Sequence, residues 1–142
     1  MTPLVKHLPL EQRDIVTHKI DDRWRSVLTH VRLIALQCRS AARSDLFKAC
    51  ALLSLEENVA RDAHLTALLK GLRNAMSRDP VFFRPGVYET SFDENWLIQA
   101  LCAREAEDWD SFRFLIHSRI APSHRRHVIF LICGILEQNC KV

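Results

Sequence analysis

Arg25, Arg32 and Arg39 fall seven residues apart, inside a stretch from Arg23 to Arg43 that holds five arginines and no acidic residue. On a helix rising ~1.5 Å per residue they line ~21 Å of one edge. A guanidinium offers five donors in a rigid plane and suits bidentate capture of a carboxylate or a phosphate. Surface helices usually mix signs, because opposite charges one turn apart stabilise and like charges repel. The missing acids therefore imply a counter-charge from elsewhere. From Glu89 to Asp110 the chain carries seven acids and one base, Arg104. Two partners fit the arginine edge, which Arg43 continues: the chain's own 89–110 segment, or an external acidic protein surface or phosphate; the plainer alternative is an ordinary solvated helix edge.

A second basic group is Ser123-His124-Arg125-Arg126-His127. It falls in the first turn of a helix, where the dipole disfavours cations. Arg125 and Arg126 are thus candidate anion-binding residues, and the plainer alternative is a solubilising cap on a very apolar helix. His124 and His127 have ligand-like spacing, but the two arginines between them repel a cation. No CxxC, HExxH or ExxH pattern occurs, so no metal or cofactor is expected. His30 and His64 read as partnered core or boundary histidines. The chain has three glycines and no G-x-S-x-G, P-loop or dinucleotide fingerprint. Catalysis is the weaker expectation, carried only by the fact that a bundle can hold a site its sequence does not advertise.

The third candidate is a turn-rich stretch, SRDPVFFRPGVYETS over 77–91, with Phe82, Phe83 and Tyr88, and with Phe92 directly after it. Asp79-Pro80 and Pro85-Gly86 are turn dipeptides, the second suited to a type II turn. The aromatics either present an interaction surface or fold back over the end of the bundle.

These groups must be positioned by helices. With few glycines and prolines and long periodic segments, 142 residues read as one all-α domain, a bundle of five to seven helices with a short β-ribbon or irregular loop near 80–91. Residues 1–8 form an arm, and a helix is expected from Leu10, either continuous to Arg39 or broken near Asp21-Asp22. Trp24, Val27, Leu28, Val31, Ile34, Ala35 and Cys38 make an apolar stripe beside the arginines. Ser44 or Asp45 caps a helix over 46–55 that is apolar on nearly all sides. Leu65, Leu68, Leu69, Leu72 and Met76 mark the next. Ser91 and Glu94 have capping-box spacing, opening a helix through Ala103. Asp108 caps another, with Trp109, Phe112, Leu115 and Ile116 apolar. The last, after Ala121-Pro122-Ser123, is so apolar that it must sit centrally or in an oligomer interface over 123–138.

The 77–91 loop separates a basic part from an acidic-then-apolar one. The net charge of +3 is too small to announce nucleic acid by itself. Five cysteines without close spacing, and a first segment without the apolar core of a signal peptide, make the cytoplasm the expected location. No uncharged apolar run approaches the ~20 residues of a membrane span. The sequence thus points to a non-catalytic interaction or regulatory module binding an acidic protein surface. The alternative is a nucleic-acid-binding regulator using the Arg23–Arg43 edge. Self-association through 123–138 is a further expectation.

Overall fold

Apolar residues at helical spacing form five α-helices among the residues described by the computed structural model, which are 15–16, 20–40 and 57–140. They are α1 (Asp22–Ser40), α2 (Glu57–Ala75), α3 (Phe92–Glu105), α4 (Trp109–Arg119) and α5 (Arg125–Cys140), with a short 3-10 turn at Pro122–His124 before the last. The all-α expectation holds. The helix expected over 46–55 lies outside the described residues, as do 10–14 and 17–19 of the one expected from Leu10, and Arg43. The first described helix starts at Asp22, and Ile15–Val16, expected on the helix from Leu10, are extended instead, so 10–39 is not one helix.

The loop near 80–91 takes the irregular form rather than a ribbon of its own, and only its last two residues pair, with a segment outside it. β1 (Ile15–Val16) runs antiparallel to β2 (Thr90–Ser91), with Ile15 opposite Ser91 and Val16 opposite Thr90. The preceding stretch, 76–89, is irregular. Within it Val87 N–H donates to Arg84 O at 3.3 Å, and Gly86 takes φ +92°, closing the turn around Pro85-Gly86. A positive φ at the third position is why glycine stands there.

The core follows the apolar stripes. Leu28, Val31, Leu65, Leu68, Leu72, Leu97, Leu101, Phe112, Ile116, Leu131, Ile132 and Ile135 are all buried, each of the larger aliphatics contributing ~1.5–3 kcal/mol. α2 and α5 pack most extensively, with α3 against α4 and α1 against α2 next. Gly134 makes the α2–α5 approach possible. A Cβ there would lie 2.6 Å from His64 Nε2 and closer still to the ring carbon beside it. His64 is itself buried and fixed by donating Nδ1–H to Ala60 O, 2.7 Å away. The α5 residues expected to need a central position (Val128, Leu131, Ile132, Ile135, Leu136) are covered within the bundle, leaving Phe130 exposed.

Helix ends are satisfied by named groups. Ser91 accepts from Glu94 N–H at 3.0 Å while Glu94 accepts from Ser91 N–H at 2.9 Å, a full capping box on α3. Asp108 caps α4 by accepting from Ser111 N–H at 3.3 Å, and the Ser111 hydroxyl first, with this backbone bond second, holds its carboxyl below the usual range. At the end of α3, Glu107 N–H donates to Arg104 O and Asp108 N–H to Ala103 O, the paired bonds of a Schellman motif. Glu107 takes φ +58° where such motifs usually place glycine. Trp96 Nε1–H donates to Leu115 O at 2.9 Å and fastens α3 to α4.

Candidate interaction surface

The three evenly spaced arginines are brought to one structure, the 82–94 segment, but not to equivalent positions on it. Arg32 is 2% exposed and Glu94 is fully buried. Arg32 Nε–H donates to Glu94 Oε2 at 2.7 Å and Nη2 to Glu94 Oε1 at 3.1 Å. Nη2 also donates to Glu89 O at 2.8 Å, and Nη1 to Val87 O at 2.6 Å and Arg84 O at 3.4 Å. All five guanidinium donors are thereby engaged. Glu94 completes its own set by accepting from Phe83 N–H at 3.1 Å in addition to the capping box.

Arg25 and Arg39 lie on either side of this pair and hold backbone oxygens rather than carboxylates. Arg25 Nη2 donates to Tyr88 O at 3.2 Å, and its guanidinium stacks 4.8 Å from the Tyr88 ring centre. Arg39 Nη2 donates to Phe82 O at 2.7 Å. Arg23 pairs with Glu105. Of the acids between 89 and 110, therefore, Glu94 and Glu105 face the arginine helix.

Phe82 is buried and Phe83 half-buried, so these two fold back over the bundle, while Tyr88 is exposed beneath Arg25. Arg125 Nε–H donates to Ile120 O at 3.0 Å and Nη2 to His117 O at 3.4 Å, occupying the carbonyl end of α4. Cations suit that end of a helix. Arg126 is exposed.

The surface that sequence reasoning missed is the groove between α3 and α4. It has a volume of about 460 Å³ and is lined by Phe92, Asn95, Trp96, Gln99, Phe114, Leu115, Ser118 and Arg119. Phe92 is 51% and Phe114 73% exposed. Arg119 supplies the one charge in the wall. Its guanidinium lies 4.8 Å from the Phe92 ring centre and 5.8 Å from that of Trp96. Nη2 faces Asp93 Oδ1 as an ionic contact rather than an aligned hydrogen bond. Nη1 is buried with no hydrogen-bond partner. The Asp93 carboxylate also accepts from Val81 N–H at 2.7 Å and lies 3.6 Å from Arg78 Nη1. Asp93 thus lies between the Arg119 and Arg78 guanidiniums.

The sequence signal for the groove was Phe114. It lies two positions from Phe112, about 200° around the helix at 3.6 residues per turn, and so off the stripe that carries Phe112, Leu115 and Ile116. A large aromatic on the wet side of an amphipathic helix has no packing reason to be there.

One further cavity, of about 310 Å³, brings Ser26, His30 and Arg61 together with Val27, Leu65 and Ile135. His30 Nε2 lies 2.6 Å from Asp62 Oδ1. Serine, histidine and aspartate are the residue types of a nucleophilic relay, but Ser26 Oγ donates to Asp22 O at 3.3 Å, and the site is walled by helices whose N–H groups are engaged in the helical ladder. Acyl transfer needs free donors for the oxyanion, so this cluster reads as a tie between α1 and α2. No group of three or more His, Cys, Asp or Glu is placed to hold a metal ion among the described residues. No described helix is long and apolar enough to cross a membrane. No family model, curated protein or solved structure matches the chain.

Proposed function

We propose that this protein is a non-catalytic interaction module that receives an acidic partner in the α3–α4 groove. The observation that carries the reading is the exposure of Phe92 and Phe114 on facing helices, in a groove whose single charged wall residue is Arg119. Two large aromatics left in water at one place mark an association surface more often than a stray exposed side chain does. A cationic wall selects an acidic partner, because an acid desolvated against it finds a counter-charge.

The acidic-partner expectation thus moves from the α1 arginines to the groove. Arg25, Arg32 and Arg39 bind the chain's own backbone and Glu94, which leaves the nucleic-acid reading without those cations. Free thiols at Cys38, Cys102 and Cys133 favour a reducing compartment such as the cytoplasm for this module.

The test is selection of random linear dodecapeptides on the immobilised protein, with Phe114→Asp as the counter-selection. Enriched peptides should combine Asp or Glu with a large apolar residue and lose binding to the variant. No enrichment over the variant, or enrichment of basic peptides, rejects the reading.

A further inference from the structure

We infer that the segment received by the α3–α4 groove is an extended peptide, carrying one large apolar side chain and an Asp or Glu two residues away from it. This rests on the interaction-module reading and narrows it to a ligand class.

Asn95 and Gln99 decide the backbone conformation. They lie one turn apart on α3, both line the groove, and neither makes a hydrogen bond to the described residues. Each primary amide offers a donor and an acceptor. Four residues of helix rise about 6 Å, and alternate residues of an extended chain stand about 6.6 Å apart. Two amides at this spacing, with no hydrogen bond to a described residue, match the N–H and C=O groups of an extended segment. A helical occupant has its backbone groups engaged internally and offers the amides nothing but side chains.

Phe92, Trp96 and Phe114 supply the slot for the apolar side chain, and Arg119 lies against two of those rings. The buried, unpartnered Arg119 Nη1 is a donor that costs stability until an acceptor reaches it. Phe92, half in water, covers that guanidinium and is the side chain whose displacement would admit one. In a strand, residues i and i+2 point the same way. An apolar side chain stacked beside Phe92 therefore brings a carboxylate two residues on, in either direction, toward Arg119.

The probe is a synthetic array of Gly/Ser-flanked peptides, each with one Phe or Leu and one Asp or Glu separated by one, two, three or four positions. It is titrated against the full chain by fluorescence polarisation. Peptides with the acid two positions from the apolar residue should bind tightest. Asn95→Ala and Gln99→Ala should each weaken them about threefold or more, the effect of one lost neutral hydrogen bond. Phe114→Asp should abolish binding, while Leu36→Ser, at an exposed position on α1, should not change it. Circular dichroism of each variant establishes that the helices remain.

Tightest binding at a separation of three or four assigns the groove to a helical partner and overturns the inference. Unchanged affinity in both amide variants overturns it as well. So does a dimer that Phe114→Asp dissolves and that excludes the peptides, since a second copy then fills the groove. If the whole array fails while library selection succeeds, the module stands and the extended peptide falls. Failure of both removes both.

Discussion

Arg32 and Glu94, 62 residues apart in the chain, form a fully buried bidentate ion pair with Nε–Oε2 and Nη2–Oε1 distances of 2.7 and 3.1 Å. The pair is more than a link between α1 and α3. Arg32 also holds three carbonyl oxygens of the 84–89 stretch, and Glu94 holds the N–H groups of Phe83 and Ser91. An irregular segment is thus pinned by one guanidinium from one side and one carboxylate from the other.

Arg32→Met should destabilise the fold by ~3–5 kcal/mol, because it strands a buried carboxylate. Many buried pairs can be replaced together by apolar residues at little cost. Here the double variant Arg32→Met with Glu94→Leu should not recover, since it leaves carbonyls and N–H groups of the loop unmet. Urea unfolding of the two single variants and the double variant gives the answer. Recovery of the double variant to wild-type stability would show that the loop carbonyls find other partners.

Gly134→Ala should cost ~1–3 kcal/mol, as overpacking does in a closed core. The methyl group would strike the His64 ring, which is held in place by Ala60 O. Adding His64→Ala should relieve the clash, so that the second substitution costs less in the Gly134→Ala background than alone. A thermal double-mutant cycle measures that coupling, and additive effects would sink the proposed contact.

Glu107→Gly should raise stability by up to ~1–2 kcal/mol, the cost of a left-handed conformation for a residue with a Cβ. The gain is offset in part by the greater freedom of glycine in the unfolded chain. Both Schellman bonds use backbone groups and survive the change. A rise in melting temperature checks it.

Cys102 gives a pH dependence with a definite sign. Burial first, then the charges of Glu105 and Asp21, push its thiol up from 9.0 to about 11. The folded state therefore keeps its proton more tightly than the unfolded chain. This contribution to stability is complete below pH 9.0 and is lost as pH rises toward about 11. Alkylation of Cys102 by iodoacetamide, followed by mass spectrometry, should keep accelerating up to about pH 11 in the folded protein. In denaturant it should level off near pH 9, the range of an ordinary thiol.

Local signals made much of the fold legible. The Ser91–Glu94 capping box, the Asp108 cap and the stripes of α1 and α2 each depend on residues within a few positions of one another, and all of them are found. The arginine edge shows where such reading stops. Arg25, Arg32 and Arg39 share one spacing and one helix edge, so nothing local separates the buried member from its neighbours. What separates them is the arrival of Glu94 opposite Arg32. Arg25 and Arg39 instead meet Tyr88 O and Phe82 O, and a backbone oxygen leaves no mark in a sequence. Trp109 shows the converse. It falls on an apolar stripe yet stays 45% exposed, because it begins its helix and lies under the Arg104 guanidinium, 4.7 Å away.

The clamp on the 82–89 segment reads main-chain atoms: Phe82 O, Arg84 O, Val87 O, Tyr88 O and Glu89 O are its ligands. Every amino acid carries that oxygen. Evolution is therefore free to rewrite the outward side chains at Arg84, Tyr88 and Glu89 without unfastening the segment. The side chains that fasten it stand on α1 and at Glu94 instead. A surface built this way can drift quickly in what it displays while staying fixed in shape.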